Sequence, residues 1–134
     1  MPAHFLATLP NFLAYLGTAI ALLAVFMTIY LYATPYEEIA LILSNNTAAA
    51  ISLSGAVLGF ALPIANVIAH SDTLLDLAVW GVIAGIVQLL AWGVARMALP
   101  QLQEDIAAGR MAPAILVAAL SLTVGLLNAA CMTY

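Results

Sequence analysis

The sequence predicts an all-α, polytopic membrane protein with four transmembrane helices, and composition, segment length and scarcity of charge support this prediction. The 134-residue chain is 66% hydrophobic and only 6% charged, whereas about a quarter of the residues in a soluble domain are charged. Four apolar segments lie at roughly 12–32, 48–69, 74–98 and 113–133. Each reaches the about 20 residues that a bilayer core of about 30 Å requires. We therefore expect a single membrane domain over residues 1–134.

The N-terminal segment is interpreted as the first spanning helix rather than as a removable signal peptide. It has no Lys or Arg before its apolar run, and that run is longer than the apolar region of a signal peptide. His4 is predicted to be a solvated tail residue, because a metal site needs several converging donors.

Two arginines indicate the orientation in the membrane. With four spans, the 33–47 and 99–112 connections share one side, and both termini share the other side with the 70–73 turn. Arg96 and Arg110 flank the 99–112 connection, and an excess of Lys and Arg in short loops marks the cytoplasmic side. We expect cytoplasmic 33–47 and 99–112 loops and periplasmic termini.

The chain resembles a tandem repeat of a two-helix unit, with unit 1 at about 12–69 and unit 2 at about 74–133. Each half carries a proline and an acidic pair in its connection, followed by a spanning helix that opens with alanine. A two-span unit returns to the side it left, so the two copies would have parallel topology, unlike the inverted repeats of many transporters.

Small residues at helical spacing predict a packing notch on each of the four spans. In lipid, helices associate through close backbone contact and dispersion, which small residues permit. The notch residues are Gly17, Ala21, Gly55, Gly59, Gly81, Gly85, Gly125 and Ala129. Two uses remain open: packing inside one four-helix bundle, or self-assembly between copies.

The polar start of the second span, SNNT at residues 44–47, predicts a helix cap at the membrane interface. Asn, Ser and Thr accept hydrogen bonds from the free N–H groups that begin a helix, and Pro113 suits the first turn of the fourth span. A second interpretation is an interfacial site formed by Glu37, Glu38, Asn45, Asn46 and Thr47. The acidic pairs Glu37/Glu38 and Glu104/Asp105 could bind a cation, or they could begin short interfacial helices whose dipoles favour negative charge.

Uncharged polar residues within the spans form the remaining candidate site. Gln88 lies near the middle of the third span, while Asn66 and Asn128 lie roughly 11 and 8 Å from the midplane, toward the terminal side. Thr18 and Thr123 could join them. These side chains are interpreted either as hydrogen bonds between helices or as the lining of a polar path. Pro63 is expected to kink the second span.

Several function classes are not expected. The chain has two arginines and no lysine, which leaves no basic patch for nucleic acid. No ionisable residue lies near the midplane, which argues against a proton-coupled pump and against a small multidrug exporter with a membrane-embedded glutamate. Cys131 and His70 form no local catalytic motif. We expect no enzyme activity, no cofactor and no metal.

The motifs NNTAAAISLSGAVLGFALPI at 45–64 and NAACMTY at 128–134 resemble the YjfL-like family of bacterial inner-membrane proteins, also called domain of unknown function 350. The resemblance covers the whole chain and implies paired two-helix units in the inner membrane. It implies no established activity, ligand or catalytic residue.

These observations predict a small membrane subunit that acts by assembling with itself or with another membrane protein in the bilayer. The small-residue notches and the lack of catalytic or charged transport residues motivate this prediction. The alternative is channel-like or facilitative permeation of a small solute or ion along Asn66, Gln88 and Asn128.

Overall fold

The computed structural model describes residues 2–33, 38–71 and 73–132, and every regular element among them is an α-helix. The six helices in chain order are α1 (Pro2–Ala33), α2 (Glu38–Leu43), α3 (Thr47–His70), α4 (Leu74–Ala98), α5 (Leu102–Ala107) and α6 (Met111–Cys131). Helices α1, α3, α4 and α6 are long and apolar enough to span a membrane, which confirms the predicted number of spans.

Helix α1 begins about ten residues earlier than the sequence predicted. Its first residue is Pro2, and Pro10 lies inside the helix. A proline inside a helix removes the hydrogen bond to the carbonyl four residues earlier, here that of Leu6. The helix continues on both sides of this lost bond.

Helix α3 forms the centre of the molecule. It packs most extensively against α6 and also against α4, and α4 contacts α6. The predicted small-residue face of α3 lies at these contacts, since Ala48, Ser52, Gly55 and Gly59 are all buried. The core is therefore a three-helix unit of α3, α4 and α6.

Helix α1 lies at the edge of this unit, and two of its aromatic side chains are buried in the core. Phe26 stacks on Phe60 of α3 with ring centroids 4.4 Å apart, and Tyr30 meets Trp92 of α4 edge-on at 6.2 Å. Phe26 and Tyr30 are 4% and 2% exposed. Both lie in the C-terminal part of α1, and the other α1 residues that pack on this core are only partly buried.

The two short helices end in the same backbone motif, 64 residues apart. Asn45 follows α2 with φ 70° and Gly109 follows α5 with φ 79°. The N–H groups of Asn45 and Gly109 donate to Ile42 and Ile106, and those of Asn46 and Arg110 donate to Leu41 and Asp105. This pattern is a Schellman motif, in which a left-handed residue closes the helix. The next long helix starts directly after each motif.

Candidate functional site

Gln88 joins α4 to α6 near the middle of the bundle. Its side chain is 2% exposed, and its Nε2 donates to the backbone carbonyl of Ser121 at 3.0 Å. The same nitrogen lies 2.8 Å from the position that a Cβ on Gly59 would occupy. Three helices therefore meet around one amide, and the amide fills the space that the missing side chain of Gly59 leaves.

Glycines make the α3–α6 crossing unusually close. A Cβ on Gly55 would lie 2.6 Å from the Cβ of Ala118, and one on Gly125 would lie 2.7 Å from the Cα of Gly59. Real side-chain carbons do not come this close, so these positions accept only glycine at this backbone separation. The notches on α3 and α6 are used inside one chain, where they allow dispersion between the two backbones.

Pro63 adds a polar element to the same crossing. Because proline has no N–H, the carbonyl of Gly59 has no helical donor four residues later. That carbonyl faces the backbone of Gly125 on α6, where a Cα–H group can provide a weak hydrogen bond. Helix α3 runs through Pro63 without a break, and the kink expected there stays a prediction.

Asn66 and Asn128 lie apart from Gln88. The Nδ2 of Asn66 donates to the carbonyl of Ala129 at 2.8 Å. Ala129 and Ser121 are eight residues apart on α6, which corresponds to roughly 12 Å along the helix. The Nδ2 of Asn128 is buried with no hydrogen-bond partner among the described residues. The contacts of Gln88 and Asn66 are thus separate links between helices, as expected of polar side chains that hold a bundle together.

Thr18 and Thr123, the two threonines predicted as possible neighbours of the amides, form hydrogen bonds within their own helices. Thr18 Oγ1 donates to the carbonyl of Ala14, and Thr123 Oγ1 donates to that of Ala119, each at 2.8 Å. A hydroxyl bonded four residues back is satisfied without a neighbouring helix. Neither residue takes part in the contacts of the amides.

The notches on α4 and α1 differ from those of the α3–α6 crossing. A Cβ on Gly81 would meet the side chain of Leu22, and one on Gly85 would lie 3.4 Å from Phe60, an ordinary contact. Nothing among the described residues lies within 4 Å of a Cβ on Gly17, and Ala21 is exposed. The α1 notch therefore has no partner helix within the described chain.

Two apolar grooves run beside α1, one on each side of Phe60. The groove against α4 has a cavity volume of about 120 Å³ and is lined by residues including Leu22, Gly81 and Gly85. The groove against α3 measures about 190 Å³ and is lined by residues including Ala61 and Ile64. Neither groove is lined by Gln88, Asn66 or Asn128, so the candidate polar residues do not open onto these spaces.

Asn46 is the central residue of the predicted interfacial site. Its Oδ1 accepts from the N–H of Ala49 at 3.0 Å and caps α3, while its Nδ2 donates to the carbonyls of Ile106 and Ala107 at the end of α5. One side chain therefore satisfies the start of one helix and the end of another. Asn45 provides the left-handed turn residue.

Thr47 and Glu37 complete the predicted interfacial set. Thr47 is exposed as the first residue of α3, and Glu37 lies outside the described residues. Glu104 and Asp105 lie in the first turn of α5, as expected, and Asp105 pairs with Arg110 at 3.2 Å.

Sequence reasoning missed the burial of Glu38. It begins α2, as the first-turn interpretation expected, but its side chain is only 1% exposed. The aromatic contacts of Tyr30 and Trp92 were also missed. Nothing in the local pattern predicts them, since an acid at a helix start and an aromatic in a span are both ordinary when isolated in sequence.

Comparison with known proteins agrees with the architecture. The family model described as Domain of Unknown Function (DUF350) matches residues 4–132. The UPF0719 inner membrane proteins YjfL of Escherichia coli strains K12 and O157:H7 are each 36% identical to the chain over 131 residues, covering 98% of this chain and 99% of the relative. No solved structure shows a significant match.

The relatives and the four spanning-length helices indicate a multi-pass protein of the inner membrane. The family model and the relatives both match nearly the whole length of the chain. The chain belongs to the DUF350 family, as the motifs at residues 45–64 and 128–134 indicated.

Proposed function

We propose that this protein is a small, non-enzymatic membrane subunit that assembles with a second copy of itself through α1. The observation that carries the proposal is a row of small residues on the exposed side of that helix. Its members are Ala7, Pro10, Ala14, Gly17, Ala21, Ala24 and Thr28, and all except the half-buried Ala14 are exposed.

The row has the spacing of a helix–helix seam. Its members alternate three and four residues apart, and a seven-residue repeat keeps one face of a helix against a partner over its whole length. At about 100° per residue, the row points almost directly away from Phe26 and Tyr30, which contact the core. The N-terminal part of α1 thus offers close backbone approach on the side that its own chain does not use.

The other notches explain why α1 is the best-supported contact. Gly55, Gly59 and Gly125 are filled by backbone of the same chain, and Gly81 by the side chain of Leu22. Substituting these residues would disturb the fold and would not test assembly separately. At Gly17, by contrast, no described atom lies within 4 Å of an added Cβ.

Two further proposals concern the architecture. The equal length of α2 and α5, their matched Schellman motifs and the 64-residue offset between them support a tandem duplication of a two-helix unit. Arg96 in the last turn of α4 and Arg110 at the start of α6 lie at the end that carries these connections. Their position supports a cytoplasmic location for that end.

Cysteine cross-linking in native membranes tests the assembly. In a Cys131→Ala background, Ala21→Cys should form a disulfide-linked dimer on mild oxidation, because equivalent residues on a parallel seam lie close together. Ile20→Cys is the matched control, because Ile20 is 56% exposed on the same helix but points about 100° away. Equal cross-linking at both positions, or none at Ala21, would contradict the proposal.

Native mass spectrometry of gently extracted protein separates the remaining possibilities. A homo-oligomer that dissociates in Gly17→Leu supports the α1 seam. A complex with a different membrane protein would replace self-assembly with a partner-binding role. Permeation along Asn66, Gln88 and Asn128 is the weaker alternative, since two of the three amides already bond to helix carbonyls. Liposome flux that falls in Gln88→Leu would favour it.

A further inference from the structure

Helices α2 and α5 differ in the side chains that they expose. In α5, the apolar Leu102 and Ile106 face inward, at 1% and 0% exposed, and Glu104 is exposed. In α2, Glu38 is buried at 1% exposed, beside the partly buried Leu41 and Ile42. Its exposed residues include Ile39 and Leu43, at 50% and 83%. The outward face of α5 therefore carries an acid, whereas that of α2 is apolar and its acid is buried.

This difference between the outward faces indicates which medium surrounds each helix. In water, outward charged residues and inward apolar residues lower the free energy. In hydrocarbon the preference reverses, because an acidic side chain facing lipid is costly and an apolar one is not. We propose that α2 lies within the bilayer at the boundary of the acyl chains, whereas α5, on the same side of the membrane, lies in water.

The C-terminal end of α1 also exposes large apolar and aromatic side chains. Near the end of that spanning helix, Ile29 and Tyr32 are 47% and 86% exposed, and tyrosine is enriched where membrane spans reach the interface. Ile39 and Leu43, one turn apart on α2, are exposed apolar side chains as well. The occupant of the outward face of α2 is therefore lipid, because exposed apolar side chains at the end of a membrane span are stable there and costly in water.

Charge supports the same assignment. The lipid-side face of α2 carries no Lys or Arg to attract anionic headgroups, so its attachment depends on insertion of apolar side chains. The second connection carries an exposed charge instead, since Arg110 pairs with Asp105 and its side chain is 69% exposed. The two connections, although matched in backbone, lie at different depths.

Site-directed spin labelling measures this depth directly. Leu43→Cys and Ala107→Cys, each in a Cys131→Ala background, place the label at positions that are 64 residues apart, exposed, and last in their short helices. The labelled full-length protein is reconstituted in liposomes of bacterial phospholipid. Collision rates are measured with oxygen, which concentrates in the bilayer, and with a water-soluble nickel chelate.

We expect the oxygen-to-nickel collision ratio to be several-fold higher at residue 43 than at residue 107. Equal ratios with strong nickel access at both positions would place α2 in water and overturn the proposal. A label at residue 43 that neither reagent reaches would also overturn it, since protein would then cover the face. Self-assembly through α1 is tested separately, so the two proposals fail independently.

Discussion

Helices α3 and α1 have almost the same chemistry and entirely different surroundings. Both are long and strongly apolar, and both carry small residues at helical spacing. Yet half of the most apolar stretch of α3 is buried, and only 6% of that of α1. Small-residue spacing therefore shows which helix face can pack closely but does not identify the helix that packs there.

The largest effect on stability is expected when a bulky residue replaces glycine at the α3–α6 crossing. We expect Gly59→Leu to lower the free energy of unfolding by about 3 kcal/mol or more, because overpacking forces two helix backbones apart. The added side chain would meet the carbonyl of Ser121 and the amide of Gln88. The free energy of unfolding can be measured in bicelles, with steric trapping as the method that detects the unfolded chain.

Gly93→Leu on α4 is the matched control, since nothing described lies within 4 Å of a Cβ there. Its free energy of unfolding should stay unchanged or rise by up to about 1 kcal/mol, because leucine favours helix more than glycine does. Equal losses in both variants would show that glycine is needed for helix flexibility rather than for the close crossing.

A smaller effect is expected at the start of α3. Asn46→Ala removes the cap on Ala49 and the bonds to the end of α5, and we expect a loss of about 1–2 kcal/mol. Hydrogen exchange should also rise in the first turn of α3 and the last turn of α5 together. Asn45→Gly should be nearly neutral, because glycine readily adopts the left-handed φ of 70° at that position. A change confined to α3 would contradict the dual role of Asn46.

The polar contact in the membrane core should contribute less. Gln88→Met keeps most of the side-chain volume and removes the donor to Ser121. We expect a loss of about 1 kcal/mol, the usual size of a hydrogen bond between membrane helices. Gln101→Met is the control, because Gln101 is exposed and makes no side-chain cap bond. If the Gln88 variant is as stable as the control, the hydrogen bond from Gln88 to Ser121 does not stabilise the fold.

The four spans could be predicted from the sequence, because segment length and hydropathy determine which segments can cross a bilayer. It also located the polar start of α3, since capping depends on residues a few positions apart. The second half of the Asn46 contact, to Ile106 and Ala107, could not be predicted because it joins residues about 60 positions apart. Local sequence patterns do not predict contacts between residues so far apart in the chain.

The candidate site was predicted as a set of residues but not as an arrangement. Gln88 and Asn66 both bond to α6, but at separate levels, so hydrophobic spacing could not have distinguished helix links from a shared cavity. The burial of Glu38 shows most clearly where prediction from sequence fails. The rule that charged residues face outward applies to a helix surrounded by water, and it does not apply if α2 lies in the bilayer as proposed.

The smallest expected effect on folding, at Gly17, gives the sharpest comparison of α1 with α3. Gly17→Leu should leave the unfolding free energy unchanged or raise it by up to about 1 kcal/mol, because leucine favours helix more than glycine does and no described atom lies within 4 Å of a Cβ at this position. If α1 forms the seam between copies, the same substitution should abolish the dimer while each chain stays folded. Gly59→Leu should instead destabilise the chain itself. A Gly17 variant that unfolds like the Gly59 variant would mean that α1 packs within the chain after all.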